Sequence, residues 1–486
     1  MPATDATAKA ARRAVRELLR VAPVTGHVAQ RFVDAGHELY LVGGSVRDAL
    51  LGRLGEDLDF ATDARPEQIL ALVAPLGPTW TTGIAFGTVG VQVQAAGDAH
   101  RCEITTYRED SYRADSRKPD VSYGDTIEGD LSRRDFAVNA MAIQLPLDVA
   151  RPVVDPYGGL DDLGARILRT PVAPERSFDD DPLRMLRAAR FAAQLAFDVE
   201  AATRAAIVDM APRLEIVSAE RVRDELTKLV LGAHPRRGLE VLVDTGLADH
   251  CLPELSRLAD TVDEHGRHKD VYAHTLTVLD QAIALEEDGP DLVLRLAALL
   301  HDIGKPDTKK VHKDGKVSFH HHEVRGAKLA RERLTALRFP KDVVDDVTQL
   351  VALHLRFHGY SQGEWTDAAV RRYVRDAGPL LDRLHNLTRS DCTTRNVGKA
   401  KALAAAYDAL ERRIGELAAQ EDLQRLRPAL DGNEIMAELG LRPGPKVGEA
   451  YRHLLHLRIE QGPMSHEEAL EELRHWAEEN LPTGED

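Results

Sequence analysis

The 486-residue chain is too long for a single hydrophobic core, and most of it carries helical periodicity, so three or four packed units are expected. Its 63 Lys and Arg against 79 Asp and Glu leave a formal charge of −16, which excludes a global basic field for nucleic acid and makes any RNA contact local. Three widely spaced cysteines, Cys102, Cys251 and Cys392, argue against a disulfide framework and a cysteine zinc site, and no apolar run approaches the length of a membrane span.

The N-terminus, MPATDATAKAARRAVRELL, lacks the apolar core of a signal peptide, so the expected location is the cytoplasm, with no membrane contact. Residues 9 to 35 read as one or two amphipathic helices leading into a first strand. There follows Leu41 to Thr62, LVGGSVRDALLGRLGEDLDFAT: a strand ending in two glycines, a helical segment, a turn at Gly52 to Gly55, and a second strand. Gly43 and Gly44 leave backbone N–H groups unobstructed beside a helix N-terminus, where hydrogen bonding and the dipole both favour a phosphate chain. Arg47 can add a forked cation there. Asp57 and Asp59 alternate along a strand, so both carboxylates leave one face within reach of one or two shared hard cations, a geometry that suits Mg²⁺. Metal-assisted nucleotidyl transfer needs this combination, one ion lowering the pKa of an attacking hydroxyl and the other neutralising the leaving pyrophosphate. The segment resembles the first motif of the tRNA nucleotidyltransferase and bacterial poly(A) polymerase family, the class II branch of the polymerase-beta-like nucleotidyltransferases.

Short β-type runs at 89–93, 101–106 and 141–144 complete a mixed sheet-and-helix head over residues 1–155. Beyond Asp155 nearly every segment has helical period, which makes the fold class α+β: a head with a mixed or antiparallel sheet, then a mainly α-helical remainder. Glu103 lies on one of the strands and can complete a carboxylate triad with the two aspartates; the resemblance implies the same. The polar stretch REDSYRADSRKPD, 108–120, reads as a mobile loop. It is either a solvated excursion or, by its similarity to the flexible loop of complete CCA-adding and A-adding members, a working element with Arg113, Asp115 and Arg117. RRDFAVNA, 133–140, resembles the family's second motif, which implies that Arg134, Asp135 and Asn139 contact the nucleotide's ribose or triphosphate. DPYGGLDDLGARILR, from Asp155, resembles the third, a glycine-containing joint.

In FDDDPLRMLRAARF, from Phe178, Asp181 and Arg184 are expected to share a helix face. They form either an intrahelical ion pair or a protein template. A carboxylate accepts from an exocyclic amine while a guanidinium donates to a ring nitrogen, an edge common to cytosine and adenine and reversed in uracil and guanine. The stretch resembles the family's fourth motif, which also implies nucleotide binding by Arg187 and Arg190. SAERVRDELTKLV, 218–230, resembles the fifth, a helix bracing it.

A second chemistry begins at LRLAALLHDIGKP. His301 and Asp302 end an apolar helix, with His274 upstream and Asp391 far downstream, an order H, HD, D whose members can share a metal. It resembles the HD phosphohydrolase superfamily, and His322 and His354 match the extra ligands of its two-metal members; His320 and His321 are ambiguous neighbours. A divalent transition metal is the implied cofactor, in an active centre or a retained scaffold. The tail, DGNEIMAELGLRPGPKVGEAYRHLLHLRIEQG, resembles the family's tRNA-contacting segment and is equally compatible with a packing joint.

The expected division is head 1–155, helical neck 156–250, HD domain 251–400 and helical tail 401–486. The expected function is template-independent addition of CCA to the tRNA 3′ end from CTP and ATP with Mg²⁺, by Asp57, Asp59 and Glu103. The rivals are an A-adding enzyme, a poly(A) polymerase, an HD phosphodiesterase with a nucleotide-binding head, and a non-catalytic RNA scaffold.

Overall fold

The computed structural model describes residues 5–95, 97–108, 123–147, 153–261, 271–314, 317–357, 365–394, 396–421 and 426–481. The chain divides into two compact units, Met1–Ser256 and Arg257–Asp486.

The first unit opens with the helix Asp5–Asp34, one continuous helix through Pro23. A six-stranded sheet follows: β1 (Leu39–Val42), β2 (Asp57–Thr62), β3 (Thr79–Trp80), β4 (Thr88–Ala95), β5 (Asp98–Thr106) and β6 (Ala142–Leu145). Their order is β3-β4-β5-β2-β1-β6. β2 and β5 run parallel and the other neighbours antiparallel, so the sheet is mixed, as the sequence suggested. Alternation along the strands sets its two faces. Leu58 and Phe60 of β2, Val89, Val91 and Val93 of β4, and Cys102 and Ile104 of β5 are all buried. The residues between them, including Asp57, Asp59, Arg101 and Glu103, therefore emerge together on the opposite, open face. The short β3 at the sheet edge was not anticipated; two residues carry no periodicity.

The rest of this unit is helical, with Pro174–Asp180, Leu183–Leu195, Ala219–Val230 and Pro235–Asp244 as its main elements. Two-residue ladders, Ile167–Leu168 with Asp198–Val199 here and Lys310–Val311 with Val317–Ser318 in the second unit, interrupt the helical remainder.

In the second unit the helices Val271–Ala284, Leu292–Leu300, His322–Ala336, Lys341–Leu353 and Leu381–Ser390 enclose a core, followed by the long helix Val397–Gln420. Three further helices, Gly432–Leu439, Pro445–Gln461 and His466–Asn480, pack around Ile435, Leu454, Leu473 and Trp476. Glu421 anchors this tail from a buried position, accepting from Arg371 Nε at 2.7 Å and lying 2.5 Å from Arg458 Nη1. Such a triad is costly to desolvate, and removing one of its partners would leave an uncompensated buried charge. No helix among the described residues is long and apolar enough to cross a membrane.

Candidate active site and metal centre

Register places the head carboxylates. In the parallel β2–β5 pair Asp59 lies directly opposite Glu103, and Asp57 opposite Arg101, so three carboxylates share one face. Ser45, in the first turn of the helix Gly44–Leu51, stitches that helix to the strand: its hydroxyl accepts from Asp59 N–H at 3.0 Å and donates to the Asp57 carbonyl at 3.5 Å. Asp59 is solvent-accessible yet sits low in a concavity, and loss of bulk water raises its pKa, with the Glu103 and Asp57 charges adding to the rise and Arg134 and Arg47 opposing it. A set of hard oxygen donors whose mutual repulsion is incompletely balanced by the chain is suited to a divalent cation.

Beside them lies a cleft of about 830 Å³. Gly43, Gly44, Arg47, Asp59, Glu103, Arg134, Asp135, Asn139, Asp181, Arg184, Arg187 and Arg190 all line it; Asp57 lies just outside. Eight arginines and four carboxylates face it, so the cleft is basic within an acidic chain.

The glycine turn differs from expectation in one respect. Gly43 donates its own N–H to the Met141 carbonyl at 3.3 Å, because the β1–β6 ladder continues one residue further than the strands suggest. The N–H groups open to a phosphate are those of the helix's first turn, from Gly44 onward. Gly43 itself is required: its φ of 68° is left-handed, and a Cβ would meet Arg134 Nη1 at 2.6 Å. Arg134 is aimed by buried Asp130, 2.9 Å from its Nη2. Burial favours protonation of Asp130, but Arg133 and Arg134 together outweigh it and hold the carboxyl below its usual range. Arg47 donates to Asn139 Oδ1 at 2.6 Å and to Asp48. Asp135 is buried and held ionised: burial alone raises its pKa, and the Arg187 guanidinium, Asn139 and the Phe136 N–H more than reverse this. Within the chain, Asp135 and Asn139 thus set the arginines.

Asp181 and Arg184 do not share a helix face. Asp181 is extended at the break between the helices Pro174–Asp180 and Leu183–Leu195, because Pro182 interrupts them, and its carboxylate accepts from Leu183 N–H at 3.1 Å and pairs with Arg221 Nη2 at 2.8 Å. Arg184 is buried and pinned by Ser177 Oγ at 2.9 Å, the Ser177 carbonyl at 3.2 Å and the Arg133 carbonyl. No Asp181–Arg184 ion pair forms. The two side chains meet at the cleft from separate elements, each held by other groups.

The helix Ala219–Val230 supplies two residues that motif reading left unnamed, Arg221 on Asp181 and Glu225 3.1 Å from Arg190 Nε. Their four-residue spacing on one helix face was the available signal. Phe191 was also missed: Arg190, Arg47 and Arg187 gather over its ring at 4.1, 5.3 and 5.8 Å. Burial, with Arg187 beside it, lowers Arg190 to about 10 despite Glu225, so it remains charged at neutral pH.

In the second unit the six sequence-nominated ligands converge from five helix termini or faces. His274 Nε2 lies 3.0 Å from Asp391 and 3.4 Å from Asp302; His301 Nε2 is 3.2 Å from Asp302; His322 Nε2 is 3.3 Å from both Asp302 and His354 Nε2. The ligand atoms fall into two groups that could each hold an ion, His274, His301 and Asp391, and Asp302, His322 and His354. Behind the rings, Nδ1 of His301, His322 and His354 meets the carbonyls of Ala298, Phe319 and Val351, and Nδ1 of His274 meets Thr393 Oγ1. This leaves every Nε2 facing inward, as metal-binding imidazoles require. The buried Nε2 of His301 has only the neighbouring carboxylates of Asp302 and Asp391 against it, at 3.2 and 3.7 Å. Burial and neighbouring His301 push His354 down to about 3, so its ring is a neutral ligand. Burial opposes the charge on Asp302, yet His301 and Lys305, the latter at 2.7 Å, hold it well below the usual range. These residues fit a metal. His320 and His321 are exposed and point elsewhere.

Residues 39–169 match the Poly A polymerase head domain, 196–258 the probable RNA and SrmB-binding site of polymerase A, and 271–395 the HD domain. The A-adding tRNA nucleotidyltransferase of Deinococcus radiodurans is 36% identical over 452 residues, 90% of this chain and 95% of that protein. The chain belongs to the tRNA nucleotidyltransferase family. The CC-adding tRNA nucleotidyltransferase of Thermus thermophilus is 33% identical over 452 residues, 90% of this chain and 94% of its own length. In structure, this nucleotidyltransferase resembles the Bacillus stearothermophilus CCA-adding enzyme in complex with CTP, at 26% identity and a TM-score of 0.66, over 95% of this chain and 99% of that one. Family membership carries dependence on a divalent metal.

Proposed function

We propose that this nucleotidyltransferase adds CCA to the 3′ end of tRNA from CTP and ATP with Mg²⁺, using Asp57, Asp59 and Glu103. The observation that carries the reading is the Asp59–Glu103 register on the open sheet face, beside a cleft whose lining runs from the Gly43–Gly44 turn to Asp181 and Arg184. Mg²⁺ bound there would activate the RNA 3′-hydroxyl and neutralise charge on the triphosphate. The chain's residues do the rest. First-turn N–H groups from Gly44 onward, Arg47 and Arg134 hold the phosphates, with Asn139 and Asp135 fixing the arginines and lying within reach of the ribose. Asp181 accepts from the exocyclic amine of cytosine or adenine, and Arg184 donates to the ring nitrogen. Because Ser177 and Arg133 already fix the Arg184 fork, uracil or guanine would leave unpaired buried groups rather than induce a new rotamer. Arg187 and Arg190 complete the basic wall.

The functional division is a head to residue 155, a nucleotide-selecting neck to 250, an HD domain to 400 and a tRNA-contacting tail. The HD ligands hold a divalent transition metal for phosphoester hydrolysis, and the protein works in the cytoplasm.

A second reading, A-only addition, is favoured by the full-length similarity to the Deinococcus radiodurans enzyme. The loop residues Arg113, Asp115 and Arg117 lie outside the described residues and do not separate the two. tRNA transcripts ending at the discriminator base, at C and at CC, each given CTP, ATP or both, do. Three residues added and a stop support complete addition; one A, on the CC transcript alone, supports the second reading.

A further inference from the structure

The open face of the sheet continues beyond the carboxylates. Glu103 lies opposite Gly90 on β4, and Gly90 opposite Trp80 on β3, so Asp59, Glu103, Gly90 and Trp80 form one row across four strands. Directly paired residues project from the same side, so Trp80 stands on the carboxylate face. Gly90 permits this. A Cβ there would lie 1.9 Å from the Trp80 ring, which therefore rests on bare backbone. One level along β5, the Arg101 guanidinium sits 4.7 Å from the Trp80 ring centre and donates to Glu103 Oε1 at 3.0 Å. Its side chain is nonetheless 59% exposed, and a guanidinium has five N–H donors, so stacking and one bond fix its plane without exhausting it.

The nucleotide cleft reaches over β5 and the start of β4 through Glu103, Thr105 and Thr88, and this pair lies beyond its edge, lining none of it. The row begins near Val42 and Gly43, which line the cleft, and ends at Trp80, which does not. In-line displacement requires the attacking hydroxyl to approach the α-phosphate opposite the leaving pyrophosphate. With the triphosphate on the glycine-turn side, an acceptor strand that crosses β3 and β4 toward Glu103 meets that requirement. At about 4.8 Å per strand, Trp80 stands roughly three strand spacings from Asp59, room for a nucleotide or two.

We propose that Trp80 and Arg101 form the subsite for the single-stranded 3′ end of the acceptor RNA. Arg101 contacts its phosphate backbone, Trp80 holds that guanidinium flat and offers its exposed edge to a base, and the terminal hydroxyl is presented to Asp59 and Glu103. A cation on the phosphate backbone, held beside an aromatic ring, reads no base identity, which suits an acceptor whose last residue changes with each addition. The inference rests on the nucleotidyl-transfer reading.

The test uses the full chain and two tRNA transcripts, one ending in CC and one lacking its single-stranded 3′ residues. Binding is measured in the absence of nucleotide, and single-turnover addition is measured against tRNA and CTP or ATP separately. In the parent the CC transcript binds more tightly than the truncated one. Arg101→Gln and Trp80→Leu are expected to remove that difference, on the order of 5- to 10-fold, and to raise the tRNA half-saturation while leaving that of the nucleotide unchanged. Gly90→Ala, which displaces the ring, should act like Trp80→Leu, and Trp80→Phe should recover most of the loss. If folded Arg101→Gln and Trp80→Leu variants keep the parent's preference for the CC transcript, the pair is a surface packing contact and the inference falls. If the parent adds nothing to either transcript, the underlying reading falls instead.

Discussion

Asp59 and Asp302 are both carboxylates offered to a cation, and the chain surrounds them in opposite ways. Asp59 faces an open cleft from a strand, with its neighbours Glu103 and Asp57 of like charge, and its pKa is raised by lost solvent and by those charges. Asp302 is fully enclosed, with His301 and His322 against it and Lys305 bonded to it, and its pKa is driven down. Charge at the head centre is left for an arriving ion to balance. In the HD centre the chain balances the charge itself and holds every imidazole from behind. Under the proposed function the difference serves two duties: a site that would take its ion with each nucleotide and release it with pyrophosphate, and one that would retain its metal.

The comparison breaks most visibly through the head. Asp59→Ala is expected to lower nucleotide addition on the order of 10³-fold or more in single-turnover assays, with tRNA affinity and HD-bound metal unchanged. Retained turnover would remove the strand face from the chemistry. Next, His301→Ala with Asp302→Ala should strip the retained metal, read by elemental analysis of the purified protein, and end any metal-dependent phosphoester hydrolysis. Addition should stay within about 2-fold of the parent, since these ligands and the head motifs belong to different compact units. A parallel loss of addition would contradict separate duties.

A subtler change should act within the head alone. Arg184→Ala is expected to lower CTP and ATP use together and to weaken discrimination against UTP and GTP by about 10- to 100-fold, measured as incorporation of all four nucleotides. Unchanged ratios in a folded variant would show that another group reads the base. The smallest effect concerns the closed side of the same sheet. Burial pushes the Cys102 thiol up to about 12, one residue from half-buried Glu103. At pH 8 iodoacetamide should therefore modify partly exposed Cys392 and spare Cys102. Rapid labelling of Cys102 would mean that the strand faces are not separated as described.

The parts legible in sequence were those with local periodicity or local chemistry. Alternation in β2, β4 and β5 exposed the strands; the H, HD, D order found four of the six clustered ligands and the resemblance to two-metal members the other two, His322 and His354, because helix termini hold them and helices are readable. Whatever depends on pairing across the chain was not legible. The opposition of Asp59 to Glu103 comes from a parallel register spanning 44 residues, 103 − 59, and no local pattern encodes it. Asp181 and Arg184 were given one helix face because their spacing of three permits it, and Pro182 overrode that spacing by breaking the helix between them. Phe191 was not singled out: Arg187 and Arg190 share its helix, but Arg47, the third arginine over its ring, comes from a distant segment.

Crystals grown with Mn²⁺ and a non-hydrolysable CTP analogue would test the central claim most directly, since anomalous scattering locates the ion without reference to turnover. The account predicts a Mn²⁺ peak about 2.2 Å from carboxylate oxygens of both Asp57 and Asp59, with the triphosphate on the Gly44 turn and the cytosine edge on Asp181 and Arg184. Mn²⁺ confined to the HD histidines, with the nucleotide bound away from the carboxylate face, would contradict it.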